Sequence, residues 1–155
     1  MKPVIRKKNR QFKQGIFTPQ HSEKYRGSLP IYYRSNMELK VLRMLDNNSN
    51  VITYGSESVV IPYTSPLDNR LHRYFVDMVA ALKDKEGNIK KLLIEVKPFK
   101  QTLPPVFSNR KSNKTLLYEN KQYALNMAKF SAAKQWCEKN NYTFLILTER
   151  EIAPN

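Results

Sequence analysis

Apolar residues follow two different periods along this chain, and the order in which the periods alternate predicts its elements. Leu39, Leu42 and Leu45 recur at the spacing of one helix face in 35–48, and 116–140 has a second, longer helical pattern. Runs rich in β-branched, aromatic and aliphatic residues predict strands at 51–63 (one strand or a bent pair), 73–83, 89–97 and 143–148. The order αβββαβ predicts an α/β fold with a mixed sheet flanked by helices.

Two of the predicted strands form a hairpin around the polar segment 84–88, which contains a glycine. A short Gly-containing segment between two β-rich runs is the usual sequence signal of such a turn. Folding the chain symmetrically about the middle of this segment pairs Lys83 with Ile89. The same register sets Asp77 directly opposite Glu95, with their Cβ atoms about 4.5–5.5 Å apart.

Three charged side chains converge in this register. Lys97 lies two residues after Glu95 and shares its face, so both are expected to meet Asp77. Two carboxylates opposed across strands repel each other, and a hard divalent cation such as Mg²⁺ relieves that repulsion. A cation, a water molecule and an ammonium group together suit phosphodiester hydrolysis. The alternative is a pair of unrelated exposed acids, because a one-residue slip would turn Asp77 to the other face.

Glu38 begins the first helix and has two candidate roles. Ser35 and Glu38 match a capping box, in which the glutamate side chain bonds back to the start of the helix. Local pattern favours this role over that of a third acid directed at the metal. Glu57, between two serines, is expected to be an exposed strand residue.

The second helix and the last strand are predicted to cover and complete the sheet. A stripe of small residues ending in a tryptophan recurs every four residues and would let the helix lie close to the sheet. These residues are Ala124, Ala128, Ala132 and Trp136, and the same face is widened by Tyr123, Met127 and Phe130. Cys137 lies beside them and is expected to be a buried apolar residue rather than a nucleophile. The strand 143–148 is apolar on both faces, as is typical of a central strand.

The positive charge of the chain predicts a polyanionic partner. The 155 residues include 27 Lys and Arg against 13 Asp and Glu, a net charge of +14, which favours nucleic acid. Residues 1–34 are predicted to be an irregular basic arm that binds either a phosphate backbone or a partner protein. The single cysteine excludes a disulfide framework and indicates a reducing compartment. No apolar run reaches membrane-spanning length, so no membrane partner is expected.

A second basic segment follows the predicted site. Prolines break the chain after Lys97, and residues 98–115 contain basic residues but no acid. A loop in this position is expected to bind a nucleic-acid backbone, with a solvated connection as an equal alternative. The candidate nucleic-acid-binding residues are Lys100, Arg110, Lys111 and Lys114, with Lys121 on the second helix. Gln122 and Lys129 on the same helix are also candidates to reach a phosphate, but a solvated face is favoured for each of these three helix residues.

Several short sequences resemble those of a known enzyme family. They are Tyr33-Arg34-Ser35 with Glu38-Leu39-Lys40, Ile61-Pro62-Tyr63 with Ser65-Pro66-Leu67-Asp68, His72-Arg73-Tyr74-Phe75 with Asp77, and Glu95-Val96-Lys97-Pro98 with Gln101-Thr102. The second helix, with Asn126, Ala128, Lys129, Ala132 and Ala133, and the ending Leu147-Thr148-Glu149 also fit. With the element order, they resemble the PD-(D/E)xK nuclease superfamily and, more narrowly, the head completion nucleases of T-even-like tailed bacteriophages. The endonuclease subunit of heteromeric cut-and-paste transposases is similar at a greater distance. Val76 departs from the superfamily pattern, which usually has proline there.

The resemblance implies a restriction-endonuclease-like core and a metal-dependent DNA nuclease activity. It implies that Glu38, Asp77 and Glu95 form the acidic set and that Lys97 is the lysine of the motif. The capping and metal-site roles of Glu38 can coexist at one helix start. Asp77, Glu95 and the carbonyl of Val96 are then the expected ligands of Mg²⁺ or Mn²⁺.

The resemblance also implies a role in virus assembly. Packaged DNA would be processed before the head joins the tail, with phage head, portal or connector proteins as partners. The expected location is the host cytoplasm, with association with the virion at the head–tail connector left open, and the expected nuclease domain spans residues 35–150. Two alternatives also stay open: a non-catalytic basic DNA-binding component of the connector, and a resolvase or restriction-type enzyme.

Overall fold

The computed structural model describes residues 14–152, and this range contains eight strands and two long helices. They are β1 (Gly15–Phe17), β2 (Ile31–Tyr33), α1 (Asn36–Asn47), β3 (Val51–Ser56), β4 (Val60–Thr64), β5 (Leu71–Phe75), β6 (Met78–Lys83), β7 (Ile89–Val96), α2 (Asn113–Asn140) and β8 (Thr143–Leu147). Short 3-10 helices lie at Ser22–Lys24 and Phe99–Thr102. Within this range no helix is long and apolar enough to cross a bilayer.

Four strands form the central sheet in the order β3-β6-β7-β8. β6 is antiparallel to both β3 and β7, whereas β8 runs parallel to β7 because α2 carries the chain back between them. The predicted hairpin register is confirmed, since Lys83 pairs with Ile89 and Met78 pairs with Ile94. The predicted α/β class, a mixed sheet flanked by helices, is also confirmed.

The two faces of this sheet bury separate hydrophobic clusters. On one face, Leu42 of α1 packs with Tyr54 of β3 and Ile94 of β7. On the other face, Leu93 of β7 lies in one cluster with Ala133 of α2. Successive residues of β7 therefore enter opposite clusters, which explains why the strand is apolar on both sides.

The predicted strand 73–83 is divided into two strands that belong to different sheets. β5 pairs with β4, whereas β6 joins the central sheet. Between them, the Val76 N–H donates to the Val59 carbonyl at 3.1 Å, and the Asp77 carbonyl accepts from the Glu57 N–H at 3.0 Å. Because the chain changes sheets here, Asp77 lies in the gap between two strands rather than within one.

The segment 51–63 is a bent pair of strands, which was one of its two predicted forms. Glu57 occupies the bend with a φ of 51° and is therefore not the strand residue expected from its neighbours. Its carboxylate lies 3.1 Å from the Arg34 guanidinium. The hairpin β4–β5 is thus an insertion between the first two strands of the central sheet, and the remaining elements follow the predicted αβββαβ order.

The line of residues that α2 buries most deeply shares only Phe130 with the face predicted for this helix. Its buried residues are Asn126, Phe130, Ala133 and Cys137. The predicted stripe lies beside this line and is only partly buried. A strict spacing of four drifts around a helix by about 40° per repeat, whereas alternating spacings of four and three stay on one face. Cys137 is buried, as expected.

β8 is an edge strand of the described sheet, so its prediction as a central strand is wrong. Its two faces are nevertheless both covered. Phe144 lies 6.0 Å from Phe130 of α2, measured between ring centres, while Leu147 packs against the cluster under α1. Apolar residues on both faces of a strand thus indicate that both faces are covered. They do not indicate that the strand has a neighbouring strand on each side.

Residues 15–33, predicted as part of an irregular arm, contain the antiparallel pair β1–β2. Phe17 and Ile31 are 8% and 1% exposed and belong to the hydrophobic cluster under α1. This part of the segment is therefore ordered by packing. Residues 1–13, which hold much of the positive charge of the predicted arm, lie outside the described residues.

Candidate active site

Asp77 and Glu95 meet where β6 begins and β7 ends. The Asp77 Oδ2 accepts a hydrogen bond from the Val96 backbone N–H at 2.8 Å. Glu95 is 4% exposed and lies on the same side of β7 as Leu93, facing the cluster under α2. The hairpin register, continued one residue past the pair of Met78 and Ile94, thus brings these two predicted site residues together.

The surroundings of Asp77 disfavour its charged form. Burial raises the pKa of Asp77 well above its usual range, and the nearby Glu95 carboxylate raises that pKa further. The Val96 N–H and the Lys97 ammonium act in the opposite direction, while Glu38 adds to the increase. Two carboxylates held together against their repulsion form a site that a cation would stabilise.

Glu95 has a partner for each of its carboxylate oxygens. Its Oε2 accepts from the Tyr74 hydroxyl at 2.6 Å, and its Oε1 lies 3.4 Å from the Lys97 Nζ. Burial, the Glu95 charge and the hydrogen bond to Glu95 all raise the pKa of Tyr74, so its hydroxyl remains a donor. These contacts orient Glu95 and bring Lys97 to it, as the shared face of the two residues predicts.

Lys129 of α2 brings a second ammonium group to this region. Its Nζ lies 5.5 Å from the ring centre of Tyr74 and 5.8 Å from that of Tyr63. Burial lowers the pKa of Lys129 and the charge of Lys97 lowers it further, whereas the two acidic side chains of the site raise it. The site therefore combines two carboxylates with two ammonium groups.

The position of Lys129 differs from the solvated one expected from the sequence. It is half-buried, directly before the buried Phe130 and three residues after the buried Asn126. The signal available in the sequence was Asn126, a polar residue that interrupts the apolar face of this helix three residues before Lys129. The aromatic rings that Lys129 contacts come from β4 and β5, distant in sequence, so local pattern did not indicate them.

Glu38 lies at the start of α1 and combines a capping role with proximity to the acidic pair. Ser35 Oγ accepts from the Glu38 N–H at 3.1 Å, and Glu38 Oε2 accepts from the Arg34 N–H at 3.0 Å. The return bond of the predicted capping box thus reaches Arg34 instead of Ser35. Burial raises the pKa of Glu38, and the charges of Glu57 and Glu95 raise it further, against the opposing effect of Arg34.

The donor set of this site suits a hard divalent cation. The Val96 N–H faces Asp77, and in an extended strand a residue's carbonyl points to the same side as its N–H. Within residues 14–152, no three Asp, Glu, His or Cys side chains lie close enough to hold one ion. Coordination would therefore use Asp77, Glu95 and the Val96 carbonyl, completed by water or phosphate oxygens. Oxygen ligands of this kind are those preferred by Mg²⁺.

The predicted nucleic-acid-binding residues lie beyond Lys97, and one of them differs from the others. The exposed members are Lys100, Arg110, Lys114 and Lys121. The Nζ of Lys111 lies 2.9 Å from the Glu119 carboxylate and 3.0 Å from the Val106 carbonyl. Lys111 therefore holds the loop against α2, while the other four residues face solvent.

Comparisons with known proteins identify the family of this chain. Residues 48–149 match the family model described as TnsA-like endonuclease N terminal, a range that contains Asp77, Glu95 and Lys97 but begins after Glu38. The chain is also 37% identical over 139 residues to the head completion nuclease of Enterobacteria phage T4, an alignment that covers 87% of this chain and 90% of that protein. The resemblance seen in the sequence is confirmed, and the chain belongs to the TnsA-like endonuclease family.

Proposed function

We propose that this protein is a metal-dependent DNA nuclease that acts in phage head completion. The observation that carries the proposal is the meeting of Asp77, Glu95 and Lys97 at the junction of β6 and β7. Membership of an endonuclease family supports nuclease chemistry, and the name of the T4 relative supports the role in head completion. The finer role is processing of packaged DNA before head–tail joining, with head, portal or connector proteins as partners. It would act in the host cytoplasm or on the virion at the connector.

The proposed cofactor is Mg²⁺ or Mn²⁺, held by Asp77, Glu95 and the Val96 carbonyl. The support for an ion is the pair of neighbouring carboxylates, Asp77 and Glu95, since carboxylate oxygens are ligands that Mg²⁺ prefers. When bound, such an ion supplies a Lewis acid for the phosphate and lowers the pKa of a water molecule. The protein contributes oxygen ligands that are already held together, and the Tyr74 hydroxyl keeps Glu95 oriented.

The two lysines are proposed to act on the scissile phosphate. The Lys97 ammonium, beside Glu95, would donate to a phosphate oxygen or orient the attacking water. Lys129 would add a second positive charge where negative charge accumulates in the transition state. Glu38 would assist from the start of α1, where its negative charge interacts with that of Glu95.

The exposed basic residues around the site are proposed to bind the DNA backbone. They are Lys100, Arg110, Lys114 and Lys121, with Lys111 supporting the loop that carries two of them. Contacts with phosphates fix the position of a protein on DNA and carry no base information. Low specificity for base sequence and a strong dependence of binding on salt concentration are therefore expected.

A plasmid-nicking assay tests this proposal. Wild-type protein is expected to nick supercoiled plasmid with Mg²⁺ and to stop when EDTA is added, and Lys97→Ala is expected to lose nicking while still binding DNA. The matched control is Lys90→Ala, an exposed lysine near the other end of β7, which is expected to nick at the wild-type rate. Salt-dependent DNA binding without any metal-dependent nicking by the wild type would refute the nuclease and favour the non-catalytic connector component.

A further inference from the structure

A concave surface lies between residues 98–112, which follow Lys97 in the chain, and the first half of α2. We call it the loop groove. Its volume is about 410 Å³, within the range of roughly 300–1,000 Å³ found for pockets that bind small molecules. Its apolar walls are formed by Leu103, Pro104, Pro105 and Val106 on the loop and by Tyr118 and Tyr123 on α2.

The lining of the loop groove combines flat apolar surfaces with amide groups. Tyr118 is 63% exposed, although it is a large aromatic side chain. Gln101, Gln122 and Asn126 add amide groups, which both donate and accept hydrogen bonds. A nucleobase has the same two properties, an apolar face that stacks on aromatic rings and a polar edge that bonds to amides.

The charge around the loop groove favours a polyanion over an apolar peptide. Lys100 lines the groove and is exposed. Three more exposed basic residues belong to the same two segments: Arg110, Lys114 and Lys121. The acid in the lining, Glu119, is already paired with Lys111 at 2.9 Å. Phosphates of a strand whose bases lie in the groove would therefore meet a positive rim.

Both walls of the loop groove lead to the active site. On the loop side, Lys100 and Gln101 come shortly after Lys97 in the chain. On the helix side, Asn126 precedes Lys129 by three residues, which is about 4.5 Å along the axis and a neighbouring position on one helix face. A DNA strand held at the active site would continue into this groove.

We propose that the loop groove binds unpaired bases of the DNA strand that occupies the active site. The preferred substrate would then carry a single-stranded segment, such as a frayed or overhanging end. This inference rests on the proposed function, which provides the DNA. A fully paired duplex keeps its bases stacked on one another, so their faces would not reach the tyrosines of the groove.

Binding measurements in EDTA test the loop groove without turnover. The probes are a short single-stranded oligonucleotide of mixed sequence and a blunt duplex of that sequence, followed by fluorescence anisotropy. Tyr118→Ala is expected to weaken single-strand binding about tenfold, the loss of one stacked base, with a smaller effect on the duplex. The matched control is Ile89→Ala, a side chain 60% exposed. It lies on β7 about 20 Å from Glu95 along the strand and should bind both DNAs as the wild type does.

Two results would overturn the inference: equal losses on the two DNAs, or no loss on the single strand. The second result would instead favour a protein partner as the ligand of the apolar walls. Leu103→Ser on the opposite wall gives an independent test if Tyr118→Ala lowers the melting temperature. A protein that nicks no DNA but binds single strands through Tyr118 would refute the proposed function and support the groove, and the reverse pattern would refute only the groove.

Discussion

Asp46 of α1 is buried and Asp77 before β6 is half-buried, and the surroundings of the two carboxylates differ. Asp46 is 1% exposed, and its carboxylate accepts the backbone N–H groups of Gln20 at 2.8 Å and His21 at 3.2 Å. It also accepts the Tyr54 hydroxyl at 2.9 Å. Neutral donors thus replace the water that this carboxylate lost on folding, and the bonds fasten the segment after β1 to the end of α1.

Asp77 has a second carboxylate as its neighbour. The Val96 N–H donates to it at 2.8 Å, but Glu95 lies beside it, and burial together with that charge raises the pKa of Asp77. A tyrosine is present in both places, yet Tyr74 donates to Glu95 rather than to Asp77. The comparison shows that burial of an acid does not indicate function by itself. What indicates function is a like charge left beside it, which a cation could neutralise.

The largest predicted effect is that of Asp77→Asn. Cleavage should fall about a thousandfold or more, equivalent to about 4 kcal/mol in the activation barrier, because a ligand of the proposed ion is lost. The melting temperature should rise, since a half-buried negative charge next to Glu95 disappears. The rise should be about 2–4 °C for each kcal/mol gained in the free energy of unfolding. Nicking rates and thermal melts check both expectations.

Added Mg²⁺ sharpens this test. The ion should raise the melting temperature of the wild type but not that of Asp77→Asn, because a ligand that binds only the folded state stabilises it. A raised folded-state pKa means that the stability linked to Asp77 is complete below the unfolded pKa and is lost as pH rises through the folded one. The stabilising effect of Asp77→Asn should accordingly be larger at neutral than at acidic pH. A variant less stable than the wild type at neutral pH would contradict this account.

Asp46→Asn is predicted to have the opposite outcome. The new amide NH₂ would face the backbone N–H groups of Gln20 and His21 or the Tyr54 hydroxyl, and some of these donors would lose their acceptor. The free energy of unfolding should fall by about 2–4 kcal/mol, as measured by urea denaturation. The nicking rate per folded molecule should stay near that of the wild type. Reduced nicking at unchanged stability would mean that Asp46 also acts in cleavage, and it would contradict the contrast drawn between the two aspartates.

Tyr74 and Tyr54 each donate a hydrogen bond to an acid of one of the two sites, so they give a matched test with a smaller expected effect. Tyr74→Phe removes the donor that orients Glu95, so cleavage should fall about 10–100-fold, as is typical when a partner of a metal ligand is lost. Tyr54→Phe removes the corresponding hydroxyl from Asp46 and should lower the free energy of unfolding by about 1–2 kcal/mol without changing nicking per folded molecule. Rates and denaturation curves of the two variants, measured together, separate the roles. Similar activities of the two variants would count against an active-site role for Tyr74.

The site register could be predicted because a local turn determines it. The polar segment 84–88 is compact: Asp84 Oδ1 accepts the N–H groups of Glu86 at 3.0 Å and Asn88 at 2.8 Å. Once the turn is placed, the period of two in a strand brings Asp77 to Glu95 and Lys97 to the same face. The acidic pair and its lysine thus follow from residues close in sequence.

Features that depend on distant partners were not predictable in the same way. The break at Val76 arises because its N–H bonds to Val59, and Lys129 is placed over Tyr63 and Tyr74 of the inserted hairpin. The position of β8 in the sheet likewise depends on its parallel pairing with β7, from which α2 separates it in sequence. Local propensity and periodicity carry no information about such contacts, because they report a segment's own preferences.

The smallest predicted effect is a shift in the pH dependence of cleavage. Asp77 and Glu38 both have raised pKa values from burial and from neighbouring acids, so each remains protonated at a higher pH than an ordinary carboxyl. Cleavage should therefore fall as pH decreases, beginning above the range expected for an ordinary carboxyl. Higher Mg²⁺ should move this fall to lower pH, because the ion competes with the proton for Asp77. Glu38→Gln removes one of the charges that raise the pKa of Asp77 and should shift the fall slightly in the same direction. Nicking rates across a pH series at two Mg²⁺ concentrations measure both shifts, and a fall that did not move with Mg²⁺ would mean that the titrating group is not a ligand.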